Sequence, residues 1–262
     1  MLTAEWQKRD DQRQHFEDAF QPITEGVLAS RRDTYIARAL AQLQGAERSH
    51  RAEDEPTEYG AFDMDAILGD LDDEIDEWLD GLGPDWLDSW EAGATSAMDG
   101  VEDGFLVDPV EPLPTSLDRL RETSEFMADY SQERVRFVVD DGVDQGLPPI
   151  DIAENLRKDQ GFSRVRSQRI ARTESARSQI SGSNARFDQA ERQGIELERL
   201  WLTARDTHVR RSHRALEGKV ADGKLWTFPD GVTTEGPALS GEPKHDINCR
   251  CSSKARRKKP PT

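Results

Sequence analysis

"IELERLWLT" (residues 195–203) is the point at which this chain stops reading as helix. Ile195, Leu197 and Trp201 sit at even separations, matching the two-residue period of a strand rather than the 3.6-residue period of a helix. Upstream, apolar residues recur at helical spacing; downstream, short strand and turn signals take over. The stretch therefore decides the fold class: α+β, with a mainly helical acidic N-terminal part, then a long Arg-rich helix and a small C-terminal α+β module.

Beyond residue 203, "DTHVRRSHRAL" (206–216) predicts a helical turn or two, and "GKVADGKLWTF" (218–228) a hairpin with Asp-Gly at its turn. A loop rich in Gly, Pro, Thr and Ser (229–243) leads to "DINCRCSS" (246–253), read as a closing strand. "KARRKKPPT" (254–262) reads as a basic disordered tail.

This module holds both cysteines of the chain and three of its five histidines. Imidazole and thiolate are the donors zinc prefers, and four of them would brace a module too small for much core. The candidate ligands are His213, His245, Cys249 and Cys251, with His208 as a substitute. The competing reading makes the cysteines small apolar residues on a buried strand and the histidines ordinary polar ones. A disulfide between Cys249 and Cys251 would close a tiny strained ring, so a reduced, cytoplasmic setting is expected.

Upstream, "SRVRSQRIARTESARSQISGSNARFDQAERQG" (163–194) predicts a long Arg-rich helix ending at or before Gly194. "GLPP" (146–149) and Asp151 mark the start of a short helix running to Lys158. Another helix is expected from Ser116 to about Val143, with Leu117, Leu120, Phe126, Met127, Tyr130, Val135, Phe137 and Val138 as its apolar set. Residues 62–79 place Phe62, Ile67, Leu68, Leu71, Ile75, Trp78 and Leu79 on one helical face and carboxylates on the other. "GLGP" (81–84) is expected to end that helix, with Pro84 opening the next. Residues 3–46 read as two helices with Pro22 starting the second, followed by a polar linker over 49–60.

Charge divides along the same line: residues 1–160 carry −26 and residues 161–262 carry +9, giving −17 together. Between Arg51 and Arg119 there is no Lys or Arg, but 22 Asp and Glu. Such a stretch repels nucleic acid and anionic membrane and faces solvent, cations or a basic protein partner. Adaptation to a salt-rich, halophilic cytoplasm is the alternative. No Asp-x-Asp-x-Asp-Gly calcium loop occurs, so these carboxylates read as a solvated face. No run of about 18 apolar residues occurs either, and the N-terminus lacks a signal-peptide core.

"RIARTESARS", "WLTARDTHVRRSHRALEGKV", "FPDG" and "INCRC", in this order, resemble the C-terminal domain of the Mu F-like family of phage head morphogenesis, or minor head, proteins. The resemblance rests on Ala171, Arg172, Thr173 and Glu174; Trp201; Asp206, Val209, Arg210 and His213; Leu216 and Gly218; and Asn248, Cys249, Arg250 and Cys251. It covers roughly residues 120–253. Some members carry Cys-x-x-Cys where this chain has Arg210 and His213.

The resemblance implies a low-copy component of a virion head, at the portal vertex, assembled in the host cytoplasm. Portal or major capsid protein and packaged DNA would be its partners. On this reading residues 1–115 are an acidic docking region, 116–194 the helical part of the family domain, 195–253 the small module and 254–262 the tail. Lys254, Arg256, Arg257, Lys258 and Lys259 would contact phosphate without reading sequence, unless the tail only aids solubility. The arginines of 164–177 would face DNA or pair with carboxylates of the acidic half.

An enzymatic alternative is a metal-dependent, toxin-like nuclease or transferase, with Asp206, His208, His213 and Asn248 around a metal. It lacks an identifiable nucleophile, a Gly-rich phosphate loop or a His-Glu-x-x-His motif.

Overall fold

A computed structural model describes residues 2–47, 59–99, 101, 110–112 and 114–258. Five long or medium helices come first: α1 (Leu2–Ala46), α3 (Leu71–Ser96), α4 (Pro114–Asp144), α5 (Pro149–Lys158) and α6 (Arg164–Arg192), with the single turn α2 (Met64–Leu68) before α3. The module follows as β1 (Leu197–Leu202), α7 (Arg211–Arg214), β2 (Trp226–Thr227), β3 (Thr233–Thr234), α8 (Pro243–Asp246) and β4 (Ser252–Arg257). The chain is α+β and mainly helical. Most of the expected linker at 49–60 lies outside the described residues.

Two expected breaks are absent. Pro22 lies inside α1 and Pro84 inside α3, so each pair of predicted helices is one. Proline costs a helix one backbone hydrogen bond and a steric clash, yet tertiary burial of both flanking halves offsets it. In α1 that burial steps by threes and fours through Arg13, Glu17, Phe20, Thr24, Val27, Arg31, Tyr35, Ala39 and Leu43. Conversely, Gly69, with φ +75°, stops α2 where the apolar pattern alone predicts continuity.

Contacts divide the chain into two compact units, each assembled from separated stretches: residues 1–21, 84–117 and 169–262 form one, and 22–83 and 118–168 the other. The expected acidic helical region over 1–115 contributes stretches to both units. Of the four points at which the chain passes between the units, two are at the prolines, Gln21/Pro22 and Gly83/Pro84, and two are at Leu117/Asp118 and Gln168/Arg169.

The described residues of the second unit are mainly helical, with Leu28, Leu43, Ile67, Trp78, Leu82, Val135 and Ile152 in its core. It also buries a polar group. Tyr35 donates its hydroxyl to Glu74, which is fully buried; that burial holds the Glu74 carboxyl above its usual range. The Arg166 guanidinium donates to the carbonyls of Met127 and Gly161 and to Ser131 at 2.5–3.0 Å. Of the other carboxylates of α3, Asp72, Asp73, Asp76, Asp80, Asp88 and Glu91 are solvent-exposed, while Glu77 and Asp85 are half-buried. On α4 half of the expected apolar set faces outward: Phe126 and Phe137 are each 57% exposed, with Leu117 and Tyr130 also exposed. Arg134 and Arg166 cover the Phe137 and Tyr130 rings at 4.8 Å.

In the first unit the Arg-rich helix α6 is an interior element. Residues 170–190 are almost continuously buried, including Thr173, Glu174, Ser175, Ser178, Gln179, Ser181, Ser183 and Arg186. Small residues make this possible. Ser178 and Ser89 hydroxyls meet at 2.8 Å, and Ser183 donates to the Gly93 carbonyl at 3.1 Å. A methyl group on Gly182 would overlap the Trp90 carbonyl, and one on Gly93 the Gln179 carbonyl, so α3 and α6 cross backbone to backbone. Arg186 donates to the Ala94 carbonyl at 3.2 Å.

The module is built around β1. β4 pairs with it antiparallel from Leu197↔Arg257 to Leu202↔Ser252, and residues 218–221 run along its other edge through Gly218 N–H to Trp201 O, Trp201 N–H to Lys219 O and Ala221 N–H to Arg199 O. Flanked on both edges, β1 buries four consecutive residues, Arg199 to Leu202, instead of alternating. Arg199 tolerates this because Asp188 and Glu191 accept from it at 2.5 and 2.9 Å. The closing strand thus starts at Ser252, and residues 252–257 belong to the sheet; the reading of 254–262 as wholly disordered tail is corrected here. Pairing along β1 requires it, and Lys258 N–H extends the pairing to the Glu196 carbonyl.

Candidate metal centre

His213, on α7, is 1% exposed, and Cys249 and Cys251, just before β4, are 1% and 2% exposed. His213 Nδ1 lies 3.6 Å from Cys249 Sγ and 3.5 Å from Cys251 Sγ, and the three potential ligand atoms are all within 4.8 Å of one another. Both cysteines are free. Their thiols titrate as one unit: the Cys251 thiol and then His213 draw Cys249 well below the ordinary thiol range, while burial pushes Cys251 up. Trp201, Trp226 and Phe228 wall the cluster, with the Trp201 ring edge-on to His213, Trp226 and Phe228 at 5.6–5.7 Å.

His245 stands just outside this group. Its ring stacks on Phe228 at 3.9 Å, its centre is 5.7 Å from that of His213, and its Nε2 meets Asp230 Oδ2 at 3.0 Å. Lys244 first, and then His245, hold the Asp230 carboxyl down at about 2. Buried His245 Nδ1 has no partner. His208 is exposed and takes no part.

The remaining motif residues brace the cluster. Asp206 accepts from the His208 amide at 2.9 Å and pairs with Arg250; Arg210 donates to the carbonyls of His245 and Ile247. On α6, Ala171 is fully buried, and Arg172 reaches Glu17 at 2.7 Å and Asn248 Oδ1 at 3.5 Å. Thr173 Oγ1 accepts from the Asn248 amide at 3.1 Å, and Glu174, buried at 2% exposure, accepts from Arg177 at 2.7 Å. The Ala-Arg-Thr-Glu helix and the Asn-Cys-Arg-Cys segment therefore meet directly.

Among the positions with a left-handed backbone are Gly218 (φ +70°), which lets residues 218–221 turn back along β1, and Asn248 (φ +58°), immediately before the first cysteine. Asn is among the few side chains that adopt this conformation readily. Asn248→Val is expected to cost about 1–2 kcal/mol and Asn248→Gly clearly less, read from urea midpoints.

Sequence reasoning missed Asp230 and Asp246. Asp246 accepts from the Ser240 and Gly241 amides and the Ser240 hydroxyl at 2.7–3.0 Å, setting the loop that carries His245. The Asp-Gly of "FPDG" was the only signal for Asp230, and it reads equally as a turn. Of the cations expected on DNA, Lys254, Arg256 and Arg257 lie in β4 with Lys258 just after it; Arg256 pairs with Glu198 at 2.6 Å and Lys258 with Glu196 at 3.8 Å. Lys259 lies outside the described residues. From the Arg-rich helix, Arg164 and Arg172 reach Glu25 and Glu17.

This arrangement of motif residues coincides with a family match. Residues 133–254 match the family described as Phage Mu protein F like protein. Two curated relatives are similar to part of this chain. The minor head protein GP7 of Bacillus phage SPP1 is 32% identical over 103 residues, 38% of this chain and 33% of that protein. The NAD(+)--arginine ADP-ribosyltransferase EFV of Enterococcus faecalis (strain ATCC 700802 / V583) is 32% identical over 112 residues, 43% of this chain and 23% of that protein. The chain thus spans a third or less of these relatives. No solved structure matches it.

Proposed function

We propose that this chain is a minor head protein of a tailed phage, a low-copy component at the portal vertex acting in head morphogenesis. The observation that carries the reading is that residues within the family match at 133–254 form one bonded junction, Thr173 with Asn248 and Asp206 with Arg250, in a chain that is also similar to a protein named as a minor head protein. Family residues are here spent on holding α6 to the module, as befits a structural part. The exposed carboxylates of α3 would dock on basic patches of portal or capsid protein, an attachment that salt weakens. Packaged DNA would be met through nonspecific phosphate contacts from Lys254, Arg256, Arg257, Lys258 and Lys259, with Arg256 and Lys258 exchanging their pairings with Glu198 and Glu196 for phosphate.

The test is reconstitution with the cognate portal ring, followed by light scattering across a salt series. Complex formation at low salt that falls steeply with ionic strength is expected; no complex at any salt would remove portal docking. The transferase reading is favoured only by the name of the second relative. Against it, Asp206 is taken up by Arg250, and His208 is exposed while His213 is buried. Arginine modification in the presence of NAD would establish it.

A further inference from the structure

We propose that His213 Nδ1, Cys249 Sγ, Cys251 Sγ and His245 Nδ1 bind one structural Zn2+ that closes the C-terminal module. Tetrahedral zinc, with Zn–S near 2.3 Å and Zn–N near 2.0–2.1 Å, sets each N···S edge at about 3.6 Å. The two edges present measure 3.5 and 3.6 Å. Two imidazoles on one such ion have ring centres about 5 Å apart, and those of His213 and His245 are 5.7 Å apart. His245 lies outside the three-donor group, so its ring has to move inward on binding to complete the set.

His245 is prepared as a ligand. Its Nδ1 is buried and unpartnered while its Nε2 donates to Asp230, the arrangement in which a carboxylate fixes tautomer and ring orientation for metal binding. Charge agrees as well. Binding releases the two thiol protons, so Zn2+ with two thiolates and two neutral imidazoles is net neutral and suits a wall of Trp201, Trp226 and Phe228. Two soft sulfurs and two imidazoles favour zinc over calcium or magnesium, which take oxygen.

Elemental analysis of the purified full chain is expected to give one zinc per chain. Cys249→Ser with Cys251→Ser should lose it. Because that variant is liable to unfold, the wild-type chain, stripped by chelator and titrated with Co2+, supplies a second reading: visible bands of tetrahedral cobalt and a thiolate-to-metal band in the near ultraviolet. Asp230→Asn should weaken metal affinity about 10–100-fold, an effect expected of a carboxylate behind a ligating histidine. His245→Ala should diminish the tetrahedral bands. A metal-free wild-type chain whose cobalt titration stays colourless, or a Cys249–Cys251 disulfide in the chain purified under reducing conditions, would overturn the site. Unaltered cobalt bands in His245→Ala would overturn the fourth donor.

Discussion

Gly182→Ala is expected to lower the melting temperature by about 6–12 °C. The added methyl would overlap the Trp90 carbonyl, and an atom of the α3 backbone cannot rotate aside as a side-chain tip does. Relief requires the crossing of α3 and α6 to widen, which also stretches the Ser178–Ser89 and Ser183–Gly93 hydrogen bonds. Overpacking a tight site costs about 3 kcal/mol at its upper range, and a chain of this size loses about 2–4 °C per kcal/mol. Differential scanning calorimetry reads the shift. Gly83→Ala, where an added methyl meets nothing, is the matched control and should leave melting unchanged or slightly raised.

The second large effect is expected from Trp201→Ala, at about 3–5 kcal/mol. Trp201 is fully buried, contacts His213, Trp226 and Phe228 through its ring, and by backbone bonds holds β1 to residues 218 and 219. Its loss opens a cavity at the centre of a module with few other large side chains. Hydrogen exchange should show lost protection concentrated in residues 195–258. Protection lost evenly over α4 and α5 would contradict a self-contained module core.

The two predictions mark what the sequence did and did not disclose. Trp201 was legible: it stands in a strand-period run beside motif residues, and its core position follows from both. Gly182 was not. "SQISGSNAR" reads as an unremarkable polar stretch of an Arg-rich helix, because hydrophobic periodicity carries no information about a crossing made by small residues. The same blindness explains α6 itself, where serine hydroxyls and paired arginines fill an interior that composition assigns to a surface.

Proline misled twice. Local chemistry at Pro22 and Pro84 predicts helix starts, and burial on either side outweighs it. At the candidate metal centre, the sequence named His213, Cys249 and Cys251 by donor chemistry alone, and the structure groups them; the placement of His245 beside them depends on Asp230, in a loop, and Asp246, at the end of the single turn α8, neither of which carries a periodic signal. The closing strand was misplaced by a few residues because Lys254, Arg256 and Arg257 weigh against a sheet by composition, whereas opposite carboxylates such as Glu198 favour it.

Incorporation of this chain into virus heads is open to a direct measurement. Quantitative mass spectrometry of purified particles, counting this chain against the portal protein, tests it most directly. The chain is expected in mature or precursor heads at a few copies per portal ring. Its absence from both, in preparations where portal and major capsid proteins are fully recovered, would contradict it.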